Sequence, residues 1–379
     1  MIRNIELKNF KAIKRAKITL TPLTAFIGYN GIGKSSMLEG LEMFKSIIVD
    51  GLDSAIRPWK EFEHIYYKGK KNNKKFLKDE FEVRFAPMAF IFNVKIQAKS
   101  SLNPLQFSTS IGQENNSAGN IFFIEEKVKY KEFTRTRDAD NNSITQGRKS
   151  PWQTPDRSIL SGELEIRRFV ESWQFLSMNT FLMGEALAQK KTGGTIALNK
   201  DGRNIAEYLL SIRDKSIQTY NGILETLQYV LPYAKDLQPQ ITTELEKMVY
   251  LQLSEEDFKL PGWMLSTGTL KVLALLAVFR NPEPSPLIVI EEIENGLDPR
   301  TIHMVISEIK NYLQNKKGQV LVTSHSPYLL DQLDISQIIF VERKNGLVSF
   351  IRPAADGEVL EWSKKFAPGQ LYTVKGFSN

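Results

Sequence analysis

Apolar and polar positions alternate from Ile2 to Leu7, a short β-prone run covers Ala16 to Leu20, and Leu23 to Ile27 is almost wholly apolar. Each run predicts a strand. The third stops at Gly28 in a glycine-rich turn, after which Leu38, Leu41, Phe44 and Ile48 recur at helical spacing and predict an amphipathic helix. Residues 50–80 read as an exposed excursion. From Glu80 to about Tyr130, runs such as PMAFIFNVKIQ and GNIFFIEEKVKY predict short strands, and the polar, turn-rich residues 136–158 predict a mobile loop. Helical periodicity returns between about 163 and 261. Pro232 and Pro239 interrupt it, which excludes one long coiled-coil arm. The last third alternates: helices over 266–279 and 301–314, strands over 287–290, 320–323 and 338–341. No internal repeat or low-complexity tract occurs.

Composition narrows the chemistry. The 379 residues carry 50 Lys+Arg, 43 Asp+Glu, three histidines and no cysteine. Without cysteine there are no disulfides, thiolate zinc sites, iron–sulfur clusters or thiol nucleophiles. His64, His303 and His325 are scattered and offer no histidine-cluster metal site. The net charge of +7 permits an anionic partner without requiring one. The longest apolar run, Val272 to Phe279, is far short of the ~18–20 residues that span a bilayer. The charged opening MIRNIELKNFK lacks a signal-peptide pattern, so the expectation is a cytoplasmic protein without membrane association.

The turn after the third strand, Gly28-Tyr29-Asn30-Gly31-Ile32-Gly33-Lys34-Ser35, fits GxxxxGK[ST] without a mismatch, between a strand and a helix as a P-loop requires. Its glycines let successive backbone N–H groups converge on a phosphate, and the helix beginning at Lys34 points its positive end at the same anion. Lys34 is suited to the β- and γ-phosphates and Ser35 to Mg²⁺. A P-loop also needs an acid for the metal and a group that orients the attacking water. Leu287-Ile288-Val289-Ile290 followed by Glu291-Glu292 offers both at the carboxyl end of a buried strand, where open α/β sheets bind ligands. By position, Glu291 faces the metal shell and Glu292 the water.

Three further motifs complete a resemblance. LSTGTLKVLALLAVF, with Leu265-Ser266-Thr267-Gly268 at a helix N-terminus, resembles the ABC signature, and Glu294-Asn295-Gly296-Leu297-Asp298-Pro299 resembles a D-loop. QVLVTSHSPYLL puts His325 after a strand, as the switch histidine sits in ABC-type ATPases. The order P-loop, signature, Walker B, D-loop, histidine is that of the ABC type. IELKNFKAIKRAKITL and IEEIENGLDP are similar to the SMC/RecF branch, particularly OLD-like ATPases, whose neighbourhood includes the ATPase subunits of the Septu and PARIS antiphage systems.

The resemblance implies an α/β fold: an ABC-type P-loop NTPase head with a mixed sheet, an N-terminal β lobe and a central helical insertion. The expected division is an N-terminal ATPase lobe over 1–180, a helical insertion over 181–261 and a C-terminal lobe over 262–379. It implies a homodimer or higher homo-oligomer whose heads sandwich two ATP molecules with Mg²⁺. Gly28, Asn30, Gly31, Gly33, Lys34, Ser35 and Ser36 would wrap the phosphates, with Ser35 and Glu291 on the metal and Glu292 orienting water. Ser266 and Gly268 would act in trans, Asp298 at the dimer seam and His325 on the γ-phosphate. Asn9-Phe10-Lys11 matches an element that lies near the nucleotide in this branch; an edge strand entering a turn is the other reading. Glu291 stands where the family usually has Asp, and its extra methylene would slow turnover. Gln97 and Gln174 both remain open as the Q-loop residue.

Lys34 and Ser266 are 232 positions apart, too few for chromosome-type SMC arms and too many for a transporter head. The 54 residues after His325 are too short for a TOPRIM nuclease domain. The expectation is therefore an ATP hydrolase that senses for, or scaffolds, a separate effector such as a nuclease in antiphage defence. A RecF-like repair ATPase and an ATP-gated scaffold with negligible turnover are the alternatives. Between Lys68 and Lys78 six lysines occur without an acid, beside His64, Tyr66 and Tyr67. This stretch reads as either a phosphate-contacting nucleic-acid patch or a solvated loop, as does the diffuse set Arg135, Arg137, Arg148 and Lys149. Trp173 and Phe175 are expected in a core.

Overall fold

The computed structural model describes residues 1–69, 76–78, 81–83, 86–98, 101–115, 119–130, 133–145, 147–152, 154–188, 196–243, 247–255, 258–316 and 318–374. These form two compact units, Met1–Trp173 with Ser336–Gly357, and Gln174–Ile335 with Glu358–Asn379.

The first unit begins with β1 (Ile2–Phe10), β2 (Ile13–Thr19), β3 (Leu23–Ile27) and α1 (Lys34–Val49). Two short helices follow, α2 (Leu52–Ile56) and α3 (Phe62–Ile65), then a small antiparallel pair, β4 (Phe76–Lys78) and β5 (Phe81–Val83). The remainder is a meander of β6 (Met88–Ala98), β7 (Ser101–Gln113), β8 (Ile121–Tyr130), β9 (Phe133–Arg137), β10 (Asn142–Thr145) and β11 (Arg148–Pro151), closed by α4 (Leu164–Glu171). An eight-stranded antiparallel sheet results, in the order β11-β10-β9-β8-β7-β6-β1-β2. The apolar stripe of α1 packs on this sheet through Phe44, whose ring stacks on Phe107 at 5.3 Å and meets Phe92 at 4.4 Å. Phe10, Phe90 and Trp173 extend the same buried aromatic cluster.

The second unit contains β12 (Gln174–Leu176), β13 (Leu187–Ala188), α5 (Ile205–Lys215), α6 (Ile217–Val230), β14 (Asp236–Ile241), β15 (Met248–Ser254) and β16 (Lys259–Pro261). After these come α7 (Thr267–Arg280), β17 (Ile288–Ile290), α8 (Pro299–Lys316), β18 (Val320–Ser324) and α9 (Pro327–Leu330). β12, β17 and β18 are parallel, with Leu176 opposite Ile290 and Ile290 opposite Val322. β13 to β16 form an antiparallel sheet. The chain then returns to the first unit with β19 (Ile338–Lys344), parallel to β3, and β20 (Leu347–Ile351), antiparallel to β19. Helices α10 (Gly357–Trp362) and α11 (Pro368–Val374) follow. The parallel strands with their antiparallel neighbour make the mixed α/β architecture expected. Among the described residues no helix is long and apolar enough to cross a membrane.

Several local expectations are corrected. Residues 51–66 are not an exposed excursion, because Leu52, Ala55, Ile56, Phe62 and Ile65 are buried. Residues 136–151 are not a loop but continue the meander. The stretch 181–261 is not purely helical: β15 alternates inward and outward, and Pro239 is accommodated in β14, which among the described residues pairs with β15 alone. The contact boundary falls at Trp173/Gln174, and residues 336–357 join the N-terminal rather than the C-terminal part because β19 pairs with β3. In the lysine-rich stretch, Lys70, Lys71, Lys74 and Lys75 lie outside the described residues, as do the side chains of Lys78 and Lys149. Trp173 and Phe175 are buried.

In the diffuse basic set, Arg148 is exposed and Arg135 half-buried, whereas Arg137 is internal. Arg137 is 3% exposed and paired with the fully buried Glu126 at 3.2 Å. Its guanidinium donates to the carbonyls of Arg157 and Pro155 and lies over the Phe123 ring. Glu126 accepts from Thr109, Ser158 and the Ile159 amide, while burial pushes its carboxyl upward in pKa. Arg135 is tied to Glu163 and Ser143. A charge removed from such a buried pair strands its partner, so Arg137→Met should destabilise the first unit by about 3–5 kcal/mol in urea titration. A solvated arginine would leave the midpoint unchanged.

Candidate nucleotide site

In the first unit the loop between β3 and α1 carries three glycines with positive φ, Gly28 (151°), Gly31 (75°) and Gly33 (114°). Gly33 is the left-handed N-cap of α1, which has neither a capping side chain nor an acid in its first turn. The first amides of a helix have no intrahelical acceptor, so this end is suited to an anion. Space favours it as well: a Cβ on Gly31 would meet nothing within 4 Å. A Cβ on Gly28 would stand 2.3 Å from the Val341 carbonyl oxygen, so the loop leans directly on β19. Lys34 is buried and donates to the carbonyls of Gly28 (2.6 Å) and Tyr29 (2.9 Å). Asn30 and Ser35 are exposed, and Ser36 is buried.

Asn9 and Lys11 both adopt left-handed backbone at the turn between β1 and β2. Asn9 donates to Pro87 and Lys11 to Glu39 of α1, with its ammonium over the Trp59 ring at 4.2 Å. Phe10 is fully buried. A Cβ on Gly33 would lie 3.3 Å from that of Ala12, which seats this turn against the P-loop.

The second unit gathers the remaining motif residues. Ser266 caps α7 by accepting from the Thr269 amide at 3.1 Å. Gly268 faces Gly296: a Cβ there would sit 2.7 Å from the Gly296 carbonyl oxygen. The Glu291 amide donates to Leu176 across β12, holding it at the carboxyl edge of the parallel strands. Glu292 has a left-handed backbone (φ 46°), and its amide donates to the Thr323 hydroxyl at 2.8 Å. Its carboxylate accepts from the side-chain Nδ2 of Asn295. Asp298 caps α8 by accepting from Arg300, Thr301 and the Thr301 hydroxyl, which holds its carboxyl below the usual range. The His325 amide donates to Glu294 at 2.8 Å, and its Nδ1 lies 3.5 Å from the same oxygen. Gln174 donates to the Leu198 carbonyl, and the side chain of Gln97 lies outside the described residues.

The structure gives roles to four residues that the motif reading left without one. Thr323 and Asn295 hold Glu292, Glu294 holds His325, and the buried Lys271 donates to the carbonyls of Glu292 (2.8 Å) and Asn295 (3.0 Å). Burial pushes the Lys271 ammonium down to about 8, against the pull of Glu294 and Glu292. Its signal in the sequence was a single cation within the apolar run 270–279. The donors assigned to the metal, the Ser35 hydroxyl and the Glu291 carboxylate, are oxygens only, which suits a hard cation such as Mg²⁺.

A family described as "AAA domain, putative AbiEii toxin, Type IV TA system" matches residues 23–331. No curated protein matches the chain. Among solved structures, an SMC head bound to the C-winged helix domain of ScpA aligns at a TM-score of 0.55 and 15% identity, covering 92% of this chain and 97% of that one. The Pyrococcus furiosus Smc head with an extended coiled coil, bound to the C-terminal domain of ScpA, aligns at 0.48 and 14% identity, over 96% and 99%. The SMC head domain from Thermotoga maritima aligns at 0.45 and 12%, over 93% and 98%. The first of these likenesses assigns the fold to the ABC/SMC head type.

Two outcomes follow from the geometry. Gly28→Ala should weaken nucleotide binding in fluorescence titration and lower stability by about 1–3 kcal/mol, because both φ and the Val341 carbonyl oppose a side chain. Lys271 gives up its proton near pH 8 when folded and near 10.5 when unfolded, so its contribution to stability rises with pH between those values. Raising the pH from 7.5 to 9.5 should favour wild type over Lys271→Met by on the order of 1–2 kcal/mol in urea unfolding.

Proposed function

The chain belongs to this AAA domain family, and from that premise we propose that it binds and hydrolyses MgATP at the interface of two heads. The observation that carries the reading is the uncapped N-terminus of α1 behind a glycine cradle, with Lys34 folded onto the loop's own carbonyls. An incoming triphosphate offers that ammonium better acceptors, and the first amides of α1, which no side chain caps, face the phosphate oxygens. Ser35 and Glu291 would hold Mg²⁺, which would supply charge neutralisation at the phosphates. Glu292 orients the attacking water, its exposed carboxylate aimed from a backbone that Thr323 and Lys271 fix. Ser266, Gly268 and the first turn of α7 act in trans on the γ-phosphate of a second copy, with Asp298 at the seam and His325 on the same phosphate. The turn at Asn9, Phe10 and Lys11 supports the P-loop from the side of α1.

The same reading makes the ATPase the gate of a separate effector, a nuclease in antiphage defence, with RecF-like repair as the alternative. Its support is the motif-level resemblance and the toxin–antitoxin description of the family. One observation favours slow or gated turnover: the Glu292 carboxylate is held by Asn295 in the resting chain. Nucleic-acid contact through Lys68–Lys78 is part of the proposal, supported by the charge of that stretch alone.

Phosphate release and sedimentation test the assignment. Lys34→Ala should weaken ATP binding by about 10–100-fold. Glu292→Gln should still bind ATP, accumulate as an ATP-dependent dimer and hydrolyse about 10²–10⁴-fold more slowly. Equal, negligible turnover by wild type and Glu292→Gln would leave an ATP-gated scaffold. ATP binding unaffected by Lys34→Ala sinks the nucleotide assignment.

A further inference from the structure

From Thr269 to Phe279 every residue of α7 is buried, and Lys271 is the charged member of that run, at 5% exposure. Leu or Met would fill the position without the desolvation cost of an ammonium. What the lysine gains is two acceptors on another element. Its Nζ donates to the carbonyls of Glu292 and Asn295, the two ends of the turn that presents the proposed water-orienting carboxylate. The Glu292 carbonyl also accepts from the Asn295 amide, and Leu297 closes a second turn onto Glu294. One helical turn nearer the N-terminus, Gly268 abuts the Gly296 carbonyl so closely that a Cβ would be 2.7 Å from it. The start of α7 and the 292–297 turn are therefore joined at two points.

On its other side this turn is held by β18 and the residue after it. The Glu292 amide donates to Thr323 Oγ1, the Ile293 amide to the Thr323 carbonyl, and Glu294 accepts from the His325 amide. Glu294 Oε2 is buried without a hydrogen-bond partner. Helix start, carboxylate turn and histidine thus form a chain of direct contacts that cannot shift independently.

We infer that Lys271 is a positioning residue that locks the anion-binding start of α7 to the Glu292 turn, so that phosphate captured at Ser266 and Gly268 sets the Glu292 carboxylate of the same chain. In a head-to-head pair this makes the nucleotide held by one copy align the water-orienting acid of the other site. The inference rests on the ATPase reading above.

The full-length Lys271→Met and Lys271→Arg variants test it, with ATP itself as the probe. Lys271→Met keeps the length of the side chain and removes its donors, whereas Lys271→Arg restores them. ATP binding should be unchanged in both. For Lys271→Met, kcat should fall by about 10–100-fold and the Hill coefficient for ATP should approach one; Lys271→Arg should recover most of the rate. Hydrogen exchange supplies a readout independent of turnover. In wild type ATP should protect the amides of 266–271 and 292–297 together, and in Lys271→Met only the former. Wild-type kinetics and joint protection in Lys271→Met overturn the role of Lys271. Loss of rate together with ATP affinity and thermal stability, without rescue by Lys271→Arg, reduces the residue to a structural one and equally overturns it. A wild type that binds ATP without turnover overturns hydrolysis alone, and exchange then decides on Lys271.

Discussion

The first amides of α1 have no acceptor within the helix, and no side chain caps them. Gly33 caps without a side chain, and no acid occupies the first turn. Several contacts of the first unit hold that end in place. Phe44 locks α1 to the large sheet, Gly40 lets Leu7 and Phe10 approach the helix, and Lys11 reaches Glu39 from the β1–β2 turn. Ser216, Ser266 and Ser326 each accept from an amide of the helix they cap, and α4 and α5, which lack a side-chain cap, carry Glu165 and Glu207 in their first turns; α1 has neither device.

The second unit shows the complementary condition, in which reactive groups already have partners. Glu292 is held by Asn295, Asp298 caps α8, and Ser266 caps α7. In the first unit Lys34 likewise rests on carbonyls of its own loop. Each contact keeps a charged or polar group solvated by protein in the resting state, so binding exchanges partners rather than creating them from nothing. Such exchanges discriminate sharply, because a ligand that cannot replace the lost acceptor leaves a polar group unpaired.

What could be read from the sequence were features set by neighbours in the chain. The glycine loop, the four-residue apolar run before Glu291-Glu292 and the Ser-x-Gly start of α7 are local patterns, and the structure forms each as a loop, a strand end and a helix start. Features set by distant partners were not legible. Arg137 looked like surface charge because Glu126 and Ser158, which make its burial tolerable, lie 11 and 21 positions away. Residues 181–261 read as helical because α5 and α6 dominate the period, although MVYLQLS over Met248–Ser254 alternates plainly as a strand. Pro239 was treated only as a helix breaker, whereas an edge strand tolerates it as well. Lys271 was visible as an odd cation in an apolar run, but its meaning depends on carbonyls more than twenty residues downstream.

The contact between Gly28 and the Val341 carbonyl also bears on how the protein is made. The loop between β3 and α1 is translated well before the strand on which it leans and which pairs with β3, more than three hundred residues later. At roughly 5–20 residues per second, the ribosome needs on the order of 15–60 s to cover that distance. During this interval β3 lacks its parallel neighbour and the nascent chain has no finished phosphate cradle. Closure of this loop thus waits on a distant strand, and the topology of the sheet sets the order in which the loop and its support are made.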